Sequence, residues 1–83
     1  MTDYKFDVQL LIEGHDLSED AINEYIINNL AGDSLLVIGD DETVKIHFHT
    51  NAPWEVLEYG HSLGDIHDIV VENMARQEKG LGG

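Results

Sequence analysis

An α+β sandwich, with elements in the order strand, helix, strand, strand, helix, strand, is the fold class this sequence predicts, and three observations carry it. Tyr4 to Glu13 (Y-K-F-D-V-Q-L-L-I-E) and Val44 to Thr50 (V-K-I-H-F-H-T) alternate apolar and polar residues with period two, as half-buried strands do. Other stretches space their apolar residues by three and four, as amphipathic helices do. A turn sequence, Gly39-Asp40-Asp41-Glu42, joins two of the strand candidates closely enough for a hairpin.

The first strand puts Phe6, Val8, Leu10 and Ile12 on one side and Lys5, Asp7, Gln9 and Leu11 on the other. Gly14 closes it. Ser18 is the expected N-cap of the first helix, with Glu19 and Asp20 placed favourably in the first turn. Ala21, Ile22, Tyr25, Ile26 and Leu30 make its apolar stripe, and Gly32 is the expected left-handed stop. Ser34 to Ile38 (S-L-L-V-I) reads as the second strand. Its hairpin register sets Ile38 opposite Thr43, Val37 opposite Val44 and Leu36 opposite Lys45, so that the buried faces agree. Asn51 is expected to cap a second helix with Pro53 in its first turn, where a missing N–H is harmless. Val56, Gly60 and Leu63 form that helix's inner face; Gly60 lets it approach the sheet, and Gly64 ends it. Trp54 and Tyr59 read as packing or partial cover. Ile66 to Met74 (I-H-D-I-V-V-E-N-M) is the fourth strand, with apolar residues at both parities.

This order suits a two-layer βαββαβ, ferredoxin-like sandwich: a four-stranded antiparallel sheet in spatial order 4-1-3-2, with two helices on one face and the other face bare. Eighty-three residues make one domain with one core. Residues 1–75 are assigned to it, and 76–83 (R-Q-E-K-G-L-G-G) to a frayed tail or severed linker.

Seventeen acidic against four basic residues give a formal charge of −13, which repels nucleic-acid backbones and anionic lipid surfaces. Without cysteine there is neither a disulfide nor a thiolate metal site, and the expected compartment is the cytoplasm. No apolar run reaches the ~20 residues of a membrane helix, and the N-terminus lacks a signal-peptide pattern. No nucleophile with base and orienter and no phosphate-cradling glycine loop is present, so no catalytic residue is assigned. The triplet Asp40, Asp41 and Glu42 is read as a turn, since a calcium loop needs more oxygen ligands at defined spacing.

The polar face of the Val44 to Thr50 strand carries the candidate site. His47 and His49 leave the same side of the strand, and the topology sets the first strand antiparallel beside it, so Asp7 comes near both on the open face. Two imidazoles and a carboxylate suit zinc with a position left for water, and they also suit non-haem ferrous iron. His15 reads as a solvated loop residue, and His61 and His67 have no partner. Leu11, Leu36 and Ile38 are expected together at the far end of the open face, an apolar patch of the kind that meets another domain. A small metal-dependent hydrolase using Asp7, His47 and His49 is the alternative from another class.

The run V-K-I-H-F-H-T-N-A-P-W-E-V-L-E-Y-G, the stretch G-D-S-L-L-V-I-G-D-D and the ending D-I-H-D-I-V-V-E-N-M-A-R-Q resemble the middle domain of bacterial fatty-acid kinase ATP-binding subunits, which are dihydroxyacetone-kinase-like proteins. The resemblance covers nearly the whole chain. It implies a non-catalytic module between an ATP- and magnesium-binding kinase domain and a C-terminal region, in a protein that works with a fatty-acid-binding partner protein to make acyl phosphate. Neighbouring domains, that partner and a homodimer contact are the implied associations. It also implies a zinc site formed by a cysteine on the first strand and the two histidines of H-x-H. The histidines fall on His47 and His49, while Asp7 stands at the cysteine's position.

Overall fold

The structure, a computed structural model, describes residues 3–80. The strands are β1 (Phe6–Glu13), β2 (Gly32–Gly39), β3 (Thr43–Thr50) and β4 (Asp65–Asn73). The helices are α1 (Glu19–Asn29), α2 (Pro53–Leu63) and the short α3 (Met74–Glu78). The sheet runs β2-β3-β1-β4 with every neighbouring pair antiparallel, which is the predicted ferredoxin-like order. Val8, Leu10 and Ile12 of β1 and Val44, Ile46 and Phe48 of β3 bury against Ile22 and Ile26 of α1 and Val56 of α2. Both main helices therefore cover one face, and the alternate positions of β1 and β3 form the other. No helix among the described residues is long and apolar enough to cross a membrane.

Several local expectations hold. Ser18 caps α1, its side chain accepting from the Ala21 N–H at 3.2 Å. Gly60 is buried in the face of α2 against the sheet, where a Cβ would lie 2.8 Å from Leu10 Cδ1. Asp40 organises the hairpin: its Oδ1 accepts from the N–H groups of Glu42 and Thr43, both at 2.9 Å. Those two bonds hold its carboxyl below the ordinary carboxylate range.

Others are corrected. Helix α1 ends at Leu30, an extended residue whose N–H donates to the Ile26 carbonyl, and Gly32 is already the first residue of β2. Glycine is required there for close approach, because a Cβ at position 32 would run into the His49 carbonyl and the Phe48 ring. The N-cap of α2 is Ala52, without a side-chain bond, whereas Asn51 Oδ1 accepts from the Lys5 N–H at 2.8 Å and ties down the start of β1. Buried Thr50 serves the helix entrance instead: its Oγ1 accepts from the Ala52 N–H at 3.1 Å and donates to the Ala31 carbonyl at 2.9 Å. After β4 the chain turns into α3, with Asn73 Oδ1 accepting from the Arg76 N–H. The tail assignment for 76–83 extends beyond the described residues.

The hairpin register is displaced by two residues, since Gly39 pairs with Val44, Ile38 with Lys45 and Val37 with Ile46. The cause is the tight loop closed by the Asp40 N–H to the Thr43 carbonyl. A shift of two conserves the faces, so the amphipathic assignment survives. Each edge strand also carries a bulge. In β2 the register slips between Asp33 and Leu36, with Ser34 at φ 56°; in β4 it slips opposite Gln9 and Leu11, with Asp68 at φ 51°. The second slip explains the double parity of β4: Ile66 and Val71 both oppose core residues of β1, Ile12 and Val8, although they are five positions apart.

Candidate metal centre

Pairing across the four strands brings one residue from each into a single row on the open face. Asp33 of β2 opposes His49 of β3, His49 opposes Asp7 of β1, and Asp7 opposes Glu72 of β4. His47 lies one step along β3 from that row, directly opposite Gln9 and diagonal to Asp7. The hydrophobic residues behind them, Ile46 and Phe48, are buried and hold the β3 backbone against the helices.

The three predicted side chains come together. His47 Nε2 lies 3.3 Å from Asp7 Oδ1, His49 Nε2 lies 3.9 Å from the same oxygen, and the two Nε2 atoms are 3.3 Å apart. The side chains of Asp7, His47 and His49 are only 18%, 28% and 25% exposed, so the cluster is a lined recess in the sheet face. Asp7 Oδ1 is buried with no hydrogen-bond partner. A buried carboxylate oxygen is costly unless something compensates it, and here it faces two ring nitrogens that are themselves candidate lone-pair donors. His49 has a further neighbour, Asp33 Oδ1, 3.6 Å from its Nδ1.

Those separations can be compared with the needs of an ion. Zinc bonds to nitrogen and oxygen of ~2.0–2.2 Å in a tetrahedron imply ligand-to-ligand separations of about 3.3–3.6 Å. Two of the three separations fall at that value, and the third exceeds it by a few tenths of an ångström. Magnesium and calcium prefer all-oxygen shells, which two imidazoles do not provide.

Elsewhere the histidines differ from expectation in one case. His67 has partners: its Nε2 is 2.9 Å from Glu13 Oε1 and its Nδ1 is 3.6 Å from Asp68 Oδ1. Desolvation works to lower its pKa, but the Glu13 hydrogen bond and the Glu13 and Asp68 charges outweigh it, and the net shift is upward. The β4 bulge, invisible in the sequence, is what brings His67 onto the Glu13 face. With a folded value above the unfolded one, the pair stabilises fully below about pH 6.5, and its contribution is lost as pH rises through the folded value. In an NMR titration the His67 ring is expected to titrate above 6.5 and to fall back in Glu13→Gln. A wild-type midpoint at or below 6.5 would contradict the pairing.

The apolar patch is also redistributed. Leu36 stands directly opposite His47, while Ile38 and Leu11 flank Lys45 on either side. Apolar surface therefore runs beside the histidines, interrupted by Lys45, instead of lying at the far end. On the opposite layer Tyr25 and Tyr59 stack at 3.9 Å, at the edge of a 340 Å³ cavity between α1 and α2 that also touches Glu55 and Glu58. Burial, together with the neighbouring Tyr25, pushes the Tyr59 phenol's pKa up.

With this geometry in view, comparison with known proteins assigns the family. Residues 3–81 match the family model of the FakA-like middle domain of fatty acid kinase. The chain belongs to that family. The middle domain is also similar to uncharacterized proteins of staphylococci: it is 54% identical over 48 residues to one from Staphylococcus haemolyticus, 52% to one from Staphylococcus epidermidis and 50% to one from Staphylococcus saprophyticus. In each case the match covers 58% of this chain and 9% of the relative, so the chain spans less than a tenth of the length of these relatives.

Proposed function

We propose that this middle domain is a non-catalytic, zinc-binding module of a fatty-acid-kinase-like protein, joining an ATP-binding kinase domain to the region that engages a fatty-acid-binding partner protein. The observation that carries the reading is the convergence of Asp7 Oδ1, His47 Nε2 and His49 Nε2 on the open face of a domain of this family. Zinc suits the donor set. Ferrous iron bound by two histidines and a carboxylate sits in an octahedral arrangement, whose cis ligands at bond lengths of about 2.1 Å would be only about 3.0 Å apart. ATP and magnesium belong to the kinase domain and have no site proposed here.

Three protein ligands leave one position of a tetrahedral ion for water or for a donor from a neighbouring domain. In this reading the domain contributes position and charge: the sheet holds the ligands, Leu36 and Ile38 offer apolar contact beside them, and docking of a neighbouring domain or a second copy occurs on the same face. The open position also favours the second reading, a small metal-dependent hydrolase. Hydrolytic activity that disappears on chelation and in His47→Ala would select it over the module.

Zinc titration of the metal-free protein, followed through the histidine ring signals at neutral pH, tests the site. Joint shifts of His47 and His49 with release of protons are expected, because ligating imidazoles must be unprotonated. Weak and equal responses of all five histidines would remove the metal from the proposal. Docking would then be tested alone, through amide shifts at Leu36 and Ile38 on adding the neighbouring domains.

A further inference from the structure

We propose that Asp33 is the outer carboxylate of this cluster: it holds the Nδ1–H of His49 and thereby turns the Nε2 lone pair of that ring toward Asp7 and His47. The use of this arrangement for zinc rests on the reading above; the effect on His49 itself does not.

The backbone argues for Asp33 before its side chain does. Plain alternation along β2 would give position 33 the parity of Leu35 and Val37, which pack against the core on the helix face. The slip between Asp33 and Leu36 breaks that alternation, so that Asp33 opposes His49 while Leu36 opposes His47. Both then lie on the open face. The slip requires Ser34 at φ 56°, a conformation unfavourable for a residue with a Cβ. A locally strained backbone thus delivers a carboxylate to the row that already contains His49 and Asp7.

A neutral imidazole carries one proton, and it ligates through Nε2 only when that proton sits on Nδ1. Asp33 Oδ1 is 3.6 Å from His49 Nδ1, within ion-pair reach and beyond hydrogen-bond length, so a small rotation of the half-exposed Asp33 side chain completes the bond. Carboxylates in this relation to metal-ligating histidines fix ring tautomer and orientation and raise ligand basicity. His47 has no such neighbour among the described residues; its open-face neighbours across the strands are Leu36 and Gln9. The two rings are therefore unequal, with His49 the oriented one.

The test compares wild type, Asp33→Asn and Asp33→Ala by two readouts: the ¹⁵N ring shifts of His49 in metal-free protein, and zinc affinity by competition with a chelator. Asp33→Ala is expected to move His49 toward the Nε2–H tautomer and to weaken zinc binding about ten- to a hundredfold. Asp33→Asn keeps an acceptor oxygen, and is expected to retain the wild-type tautomer and most of the affinity. A simple structural defect would not be rescued in that pattern. An unmoved His49 tautomer in Asp33→Ala overturns the assignment, as does an unmoved affinity in protein that binds zinc. If wild-type protein takes up no zinc, the metal reading fails and the tautomer shift alone decides the role of Asp33.

Discussion

His47→Ala is expected to abolish stoichiometric zinc binding while leaving the metal-free fold close to wild type. The loss should exceed the roughly ten- to a hundredfold that removal of an outer-shell partner brings, because a ligand is gone and Asp7 Oδ1 is left with a single nitrogen. His47 is partly exposed on the face away from the core, so its removal opens no apolar cavity. Thermal melts separate the two statements. Zinc at about 100 times its dissociation constant should stabilise wild-type protein by about 2.7 kcal/mol through mass action, and His47→Ala by nothing measurable. Asp7→Cys provides the opposite arm: a thiolate is a softer ligand than a carboxylate, so this variant is expected to hold zinc more tightly than wild type where the shorter side chain still reaches. If His47→Ala and wild type gain the same stability from zinc, the ion sits elsewhere and the cluster is only a polar recess.

How much of this could be read from residues alone differs between the centre of the sheet and its edges. Strands β1 and β3 alternate without interruption, so their faces, their neighbour relation and the meeting of Asp7 with His47 and His49 follow from period two and the topology. The edge strands contain bulges, and a bulge is a single inserted residue with no compositional mark beyond a non-glycine at positive φ, here Ser34 and Asp68. Hence Asp33 and the His67–Glu13 pair, which depend on those slips, escaped the pattern. Gly32 misled for a related reason: a glycine after a helical stripe usually ends the helix, but here the Phe48 ring and the His49 carbonyl occupy the space a Cβ would need. Thr50 was hidden because a buried hydroxyl bridging two backbone segments has no sequence period at all.

The core offers the second large effect, and its sign depends on a neighbour. Leu10 is 1% exposed at the centre of β1, and Leu10→Ala is expected to lose about 2–5 kcal/mol by lost transfer energy and the cavity left behind. A domain of this length has a total stability of roughly 4–12 kcal/mol, so this one change takes a large share of it. Gly60→Ala alone should be neutral to destabilising: alanine gains about 1 kcal/mol of helix propensity over glycine, but its methyl would lie 2.8 Å from Leu10 Cδ1 and 3.3 Å from Ile66 Cγ2. In the Leu10→Ala background the first obstacle is absent, and the new methyl enters the vacated space. There Gly60→Ala is expected to stabilise, by the ~1 kcal/mol of propensity and up to ~0.8 kcal/mol for burying one more carbon. Urea denaturation of the four proteins, in chelator so that no ion contributes, gives the coupling directly. A value above about 1 kcal/mol is expected for residues in such close contact. Equal effects of Gly60→Ala in the two backgrounds would mean that α2 can lift off the sheet freely, and that the buried glycine is not what sets the distance between the helix and the strand behind Asp7.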